Sequence, residues 1–376
     1  MSKDFHEQGF DDGTMLKLDV FRRYVREWIP VFLTDSPKSR HVSSINIFDL
    51  FSGPGEDVDG NSGSPVIIAS ELKQYCETRA ALKAQKPIRM FFNDLDGQKI
   101  TALRGKLDTV ACKRGCCQIE FSARPFAEIL AQVYPVIQDS GSANLVIMDQ
   151  FGISEVTPEV VQRLAACSMT DVLFFIPSSY VYRFKDHPAF ASKFDLSGRN
   201  LEYNTIHRFI CEYYREKLGM MKYYLAPFSI KTGGNIHGVV FGSRHLFGLE
   251  KFLKVCWDID PKTGEANYSV DQDPAWGGDQ FLFEDMNAIR RIDLFEEELK
   301  AFIESRNPDN LAMYEYVLTK GFTPIKAGES LKKLQDAGWL LVESMTAGQI
   351  AKKGAFYLRH DEKTGKIRFQ KAAGAS

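Results

Sequence analysis

The stretch Ile45-Asn46-Ile47-Phe48-Asp49-Leu50-Phe51-Ser52-Gly53-Pro54-Gly55, which runs on to Gly63-Ser64-Pro65, decides the fold. Ile45, Ile47, Phe48, Leu50 and Phe51 form a short run rich in β-branched and aromatic residues, as a buried strand does. Gly53 and Gly55 flank Pro54 and let the chain turn sharply and approach a ligand closely. Ser64 suits an N-cap and Pro65 the first position of a helix. A strand, a glycine turn and a helix are how many α/β proteins hold a nucleotide-like ligand at the end of the first strand.

Further along the chain, the same alternation repeats. Strands are expected at Ile88–Asn93, Gln118–Phe121, Leu145–Met148 and Asp171–Ile176. Helices are expected between them, at 65–83, 97–107, 126–134 and from Thr157-Pro158 onward. That order predicts a doubly wound, mostly parallel sheet with helices on both faces. A helix over Leu196–Leu218 precedes two strands, Tyr223–Ile230 and Ile236–Ser243, whose Lys231-Thr232-Gly233-Gly234-Asn235 connection predicts a late antiparallel hairpin. Upstream, Leu16–Val31 reads as a helix, with Leu16, Val20, Tyr24, Val25 and Trp28 on its apolar face and Lys17, Arg22, Arg23 and Arg26 on the other.

From Asp258 to Gly278 the chain is rich in Asp, Gly and Pro, which places a boundary there. Helices at 291–304, 311–320 and 325–337 follow, then short strands at 339–342, 355–358 and 367–369. This is the order of a winged helix. The expected plan is a polar segment (1–15), an α/β domain (16–258), a linker (259–280) and a small winged-helix-like α+β domain (281–376).

With 376 residues and a net charge of −2, the chain carries no global charge signal for nucleic acid. No apolar run is long enough to span a bilayer, and the acidic N-terminus lacks the apolar core of a signal peptide, so a cytoplasmic protein is expected. The seven cysteines are mostly scattered; Cys112, Cys116 and Cys117 lack the paired spacing of a zinc site, and no metal is expected.

Chemistry is expected at three strand ends: Asp49 with Gly53 and Gly55, Asp94 with Asp96, and Asp149 with Phe151 and Gly152. In a doubly wound sheet these ends share one edge. A carboxylate after the second strand suits a ribose diol, and Leu95 suits a purine face. The first turn has no third glycine at dinucleotide spacing and no Gly-Lys-Ser/Thr, so neither the NAD fingerprint nor a P-loop fits. S-adenosylmethionine (SAM) fits best. Its expected contacts are Asp49, Phe51, Gly53, Gly55, Ser64, Asp94, Leu95 and Asp149. Asp186-His187-Pro188 offers a conceivable general base or an ordinary surface histidine.

The motifs Phe48-Asp-Leu-Phe-Ser-Gly-Pro-Gly55, Gly63-Ser-Pro65, Phe92-Asn-Asp-Leu-Asp96 and Asp149-Gln-Phe-Gly152 resemble those of the three-Cys-motif partner proteins of bacteria and mobile elements, which look like class I SAM-dependent methyltransferases. The resemblance covers about Leu16–Trp257. It implies SAM as cofactor and a three-Cys-motif protein as partner, the cysteine motif belonging to that partner. Gln150 stands where the family has proline, in an element similar to the Asp-Pro-Pro-Tyr of amino-methyltransferases. There the polar group binds the target amine and the aromatic packs on the base, and the resemblance implies Asp149 and Phe151 as the catalytic candidates for those roles.

The loop Glu56–Ser62 is acidic and long for a glycine turn, and is expected to be a mobile flap over the cofactor. From Lys320 to Ser376 there are eleven Lys/Arg against five Asp/Glu. Lys326, Lys332, Lys333, Lys352, Lys353 and Arg359 are either phosphate contacts to DNA or RNA or the solvated face of a protein-docking module. Three functions are open: a methyltransferase acting on nucleic acid or with a partner, a non-catalytic partner with the same fold, and a DNA-binding regulator.

Overall fold

The computed structural model describes residues 9–33, 41–78, 86–112, 117–150, 152–185, 187, 194, 196, 199, 201–271 and 290–374. The chain divides into two compact units, Met1–Lys251 and Phe252–Ser376.

The first unit is built on a seven-stranded sheet of β1 (Ser44–Asp49), β2 (Ile88–Asn93), β3 (Cys117–Ser122), β4 (Ser142–Met148), β5 (Thr170–Ile176), β6 (Tyr224–Thr232) and β7 (Asn235–Ser243). The order across the sheet is β3-β2-β1-β4-β5-β7-β6. β1 to β5 pair in parallel, with Asp49 level with Phe92 of β2 and Ile147 of β4. β7 inserts antiparallel between β5 and β6, closing the hairpin predicted from the glycine turn. This is the class I methyltransferase fold. β1 and β4 are almost wholly buried, as expected of strands covered on both faces.

Helices α1 (Asp12–Leu33), α2 (Ser64–Thr78), α3 (Gly97–Val110), α4 (Phe126–Gln138), α5 (Pro158–Ala165), α6 (Ser178–Phe184), α7 (Ile206–Leu218) and α8 (Leu246–Ile259) accompany the sheet, α8 running across the division between the units. α1 starts earlier than its apolar pattern predicted because Asp11 caps it, accepting the Thr14 N–H at 2.7 Å. Val20, Tyr24, Val25 and Trp28 are buried as expected, but the buried stripe is wider. Lys17, Phe21, Tyr24 and Trp28 point inward, so Lys17 is not on the polar face. At its far end Tyr24 donates to Asp171 at 2.7 Å, and Arg26 clasps Glu71 through two hydrogen bonds. The predicted helix from Leu196 forms only from Ile206 among the described residues. Before it, Tyr203 turns its hydroxyl to Ser179 and to the Gly234 carbonyl.

The second unit contains α9 (Arg291–Arg306), α10 (Asn310–Thr319), α11 (Pro324–Asp336) and an antiparallel pair, β8 (Leu340–Ser344) and β9 (Ile367–Lys371). Asp309 caps α10 and Thr323 caps α11, each by a side-chain oxygen on the first-turn N–H groups. Phe295 stacks on Phe322 at 3.9 Å, with Trp257 against the same ring. The strand predicted at 355–358 does not form. Gly354 and Tyr357 have positive φ, which breaks an extended run, and buried Asn310 instead holds the Tyr357 carbonyl and the Lys366 N–H. A single antiparallel bridge joins Asp309 to Arg368.

Candidate functional site

The parallel strands deliver Asp49, Asp94 and Asp149 to one edge, and the strand order reverses between β1 and β4. A crevice at such a reversal is where doubly wound sheets bind ligands. The glycine turn sits there. Gly53 (φ 61°) and Gly55 (φ 93°) both take left-handed backbone. Gly63 N–H donates to the Gly55 carbonyl at 2.7 Å, so the two spaced motifs of the sequence are one hydrogen-bonded unit. A Cβ on Gly55 would lie 2.7 Å from Leu103 Cδ1.

Buried Asn93 pins the turn from below. It donates to the Leu50 and Arg124 carbonyls and accepts the Arg124 N–H, while its own carbonyl takes both Ser52 donors. Half-buried Asp94 accepts the Gly53 N–H at 3.0 Å through one oxygen and the Asp96 N–H at 2.9 Å through the other. Each oxygen keeps a second lone pair for an incoming hydroxyl. Leu95 beside it is 72% exposed. A shallow groove lined by Asp96, Gly97, Gln98 and Thr101 continues the surface. Phe51, one of the expected contacts, stacks on Phe126 at 5.0 Å.

Ser64 does not cap α2 as expected. Its hydroxyl donates to Asp49 Oδ2 at 2.6 Å, and the Phe51 N–H reaches Oδ1 at 3.3 Å. Asp49 is fully buried, and burial pushes its pKa up to about 7; the nearby Asp149 and Asp94 charges push the same way, against the Ser64 and Phe51 hydrogen bonds. The edge therefore favours a cationic ligand, which would stabilise the ionised Asp49, and disfavours a pyrophosphate.

The loop predicted to be a mobile flap is wound round one carboxylate. Asp57 accepts the N–H groups of Asp59, Asn61 and Phe10 and the Asn61 side-chain amide. Glu56 bridges to Ser62 and pairs with Lys106 at 2.5 Å. One acidic side chain of the loop, Asp57, is what ties it together.

Across the reversal, Asp149 is not free. Lys17 Nζ lies 2.6 Å from its Oδ2, with both side chains largely buried, and 4.6 Å from the centre of the Phe175 ring. Phe175 packs against His237 at 5.4 Å. Burial, aided by the Lys17 ammonium, holds the His237 pKa below its usual value, with Asp11 and Asp149 pulling the other way. Phe151, the other catalytic candidate, lies outside the described residues. Gln150 is buried and turned inward. Its Oε1 accepts the Glu155 and Val156 N–H groups at 3.1 and 3.0 Å, so it shapes the loop after β4. His187 is exposed, while Asp186 and Pro188 are outside the described residues. Buried His207 stays neutral, its pKa lowered to about 4 by burial, between Ser178 Oγ and the Val239 carbonyl.

Sequence reasoning missed Lys17, Phe175 and the inward turn of Gln150. One sign was available: Lys17 shares the i, i+4, i+7, i+11 stripe of Phe21, Tyr24 and Trp28. A lone lysine heading an apolar stripe needs a buried partner.

In the second unit, three of the six basic candidates sit in ion pairs: Lys333 with Glu296 at 3.1 Å, Lys353 with Asp336 at 2.7 Å, and Lys326 with Glu329 at 3.8 Å. Lys326 also lies over the Trp257 ring. Lys332, Lys352 and Arg359 make no ion pair among the described residues. Exposed pairs of this kind are weak enough to yield to phosphate.

No protein-family model matches the sequence, and no curated protein matches it. Among solved structures, the chain is similar to Trm1 from Pyrococcus horikoshii in complex with S-adenosyl-L-methionine (10% identity, TM-score 0.40, 70% of this chain, 65% of that one). It is also similar to TYW2 from M. jannaschii in complex with AdoMet (10% identity, TM-score 0.30, 64% of this chain, 78% of that one). A third is the magnesium protoporphyrin IX methyltransferase ChlM from Synechocystis PCC 6803 with bound SAH (12% identity, TM-score 0.32, 63% of this chain, 89% of that one). The chain spans just under two thirds of the length of that Trm1. Likenesses at these scores assign neither ligand nor substrate, and the fold assignment stands on strand order.

Proposed function

We propose that the chain is a SAM-dependent methyltransferase that acts on nucleic acid or together with a three-Cys-motif partner protein. The observation that carries this reading is one edge with two unlike sides. A glycine turn and Asp94 lie on the β1–β2 side of the strand-order reversal, and Asp149 lies on the β4 side. The Gly55 N–H of the turn would hold the donor's carboxylate, the Gly53 N–H being donated to Asp94. Asp49 would hold its ammonium, Asp94 its ribose, and Leu95 its adenine. Bound there, SAM supplies a sulfonium-activated methyl group. Asp149 orients the acceptor and takes its proton.

The second unit supports the nucleic-acid arm of this reading. Three helices, the last two capped by Asp309 and Thr323, lead into a two-stranded pair, with a bridge from Asp309, ahead of α10, to β9. That is the order of a winged helix, and Lys332, Lys352 and Arg359, which make no ion pair among the described residues, suit phosphate. The same surface as a protein-docking module predicts no salt-dependent DNA or RNA affinity.

Calorimetry with SAM tests the cofactor. Micromolar affinity that is lost in Asp94→Ala is expected; no binding to the wild type overturns the reading. The affinity should also depend on pH. Below about 7 Asp49 must shed a proton when a cation binds, so affinity weakens up to tenfold per pH unit as pH falls, and levels off above 7.

A further inference from the structure

The carboxyl edge holds one cation that the reaction above leaves unassigned. The N-terminal segment lies along this edge. Phe10 N–H donates to Asp57 Oδ2 at 2.7 Å, beside the glycine turn. Gly13 is pressed on Thr232 and His237, where a Cβ would come within 2.0 and 2.8 Å of their side chains. Lys17 then enters between β4 and β5, its Nζ on Asp149 and over Phe175. Carboxylate on one side and aromatic face on another is how proteins hold an alkylammonium ligand. As a stability device the arrangement is poor, because an apolar pair would fill the same space without desolvating two charges. Its position at the strand-order reversal, next to the strand that ends in Asp49, is where an acceptor has to sit if a donor occupies the glycine turn.

We propose that Lys17 Nζ stands in the acceptor position of this site and that the protein methylates its own Lys17, the site being built for an alkylamine. The inference rests on the methyltransferase reading. In the ion pair Nζ is an ammonium. It passes one proton to Asp149 Oδ2, and the freed lone pair forms the N–C bond to the sulfonium methyl. The C–S bond breaks and its electron pair stays on sulfur as a thioether. Nζ ends as a methylammonium, still cationic and still paired with Asp149. The transferred proton leaves Asp149 for solvent through the 16% of that side chain that is exposed, so one proton is released for each methyl gained.

Two measurements on the full chain test this. Without donor, an amine-reactive label should modify Lys17 at least tenfold more slowly than exposed Lys363; equal rates would overturn the buried placement. With SAM carrying a labelled methyl, peptide mapping of the wild type should find one label on Lys17, at a rate per molecule unchanged by dilution. Lys17→Arg should lose it, and Asp149→Asn should slow it at least tenfold. SAM binding is followed on the same wild-type sample by calorimetry. Donor bound but Lys17 unlabelled, or label only on other lysines, overturns this inference and leaves the methyltransferase reading standing. A rate that falls on dilution overturns acceptance in cis. No donor binding removes both readings.

Discussion

The two halves of the carboxyl edge are made by different means. The half at β1 and β2 is a glycine turn fixed through its backbone and short side chains: the Gly63 N–H on the Gly55 carbonyl, the Gly53 N–H on Asp94, the Ser64 hydroxyl on Asp49. The half at β4, β5 and β7 is side chains gathered from far apart: Lys17 from α1, Asp149, Phe175 and His237. In the first half Asp49 and Asp94 pair with no cation among the described residues, whereas the second carries Lys17 on Asp149. A backbone site offers fixed donors to a ligand. A side-chain site stores a charge that a ligand or a reaction can exchange.

The sharpest test of the contrast is Asp49→Asn. Asp49 has a folded pKa of about 7 against an ordinary 3.8, so the folded state binds the extra proton between those values. Its contribution to stability is full below about 3.8 and is lost as pH rises through about 7. At 1.36 kcal/mol per unit, the stability gap between Asp49→Asn and wild type should move by up to about 4 kcal/mol in the variant's favour from pH 4 to pH 8. Urea unfolding at several pH values measures it. A flat gap would mean that Asp49 is already served by a cation, and the contrast between the halves would fail.

Lys17→Met comes next. Removing one partner of a largely buried pair leaves Asp149 uncompensated and should cost about 3 kcal/mol in urea unfolding. Adding Asp149→Leu should recover most of that loss. A cost within 0.5 kcal/mol, of the order of an exposed pair, would make the second half as cation-free in effect as the first.

Gly55→Ala probes the backbone half directly and should cost about 2 kcal/mol. The residue must hold φ 93° and place a methyl against Leu103. SAM affinity should fall with it, whereas label on Lys17 in whatever fraction still binds donor should persist. Loss of both together would merge the two halves into one unit.

The same division explains what could be read from the sequence. The strand, the glycine turn and Asp94 were legible because their partners lie close along the chain or follow from strand alternation. Gly55 with Gly63 is a spacing, and Asp94 after β2 is a position. Lys17 with Asp149 is neither. Its α1 stripe and the β4 end meet only once the sheet is assembled, and the nearby arginines of α1 masked a lysine on the inward stripe. The role of Asp57 was not legible for a related reason. Acidic composition suggests a solvated loop, yet this carboxylate folds its own loop inward by collecting four N–H donors. In the second unit the helix order and two of the three expected strands were legible. The fate of each lysine was not, since Lys333 pairs with Glu296 on another helix.

Gln150 carries the smallest expected effect and asks the finest question about the side-chain half. In the resembled family a proline shapes this position through its fixed φ. Here a buried amide does so through hydrogen bonds, holding the Glu155 and Val156 N–H groups and directing Nε2 to the Phe175 carbonyl at 3.5 Å. The loop after Asp149 and the strand that presents Phe175 are thus linked through one side chain. Gln150→Leu keeps the volume but orphans the buried Val156 N–H, which should cost about 1–2 kcal/mol in urea unfolding. Because Lys17 lies between Asp149 and Phe175, amine-reactive labelling of Lys17 should quicken several-fold in this variant, while Gly55→Ala leaves it unchanged. Quickening in Gly55→Ala as well would show that Lys17 depends on the glycine turn, and the two halves would then be one site held from both sides.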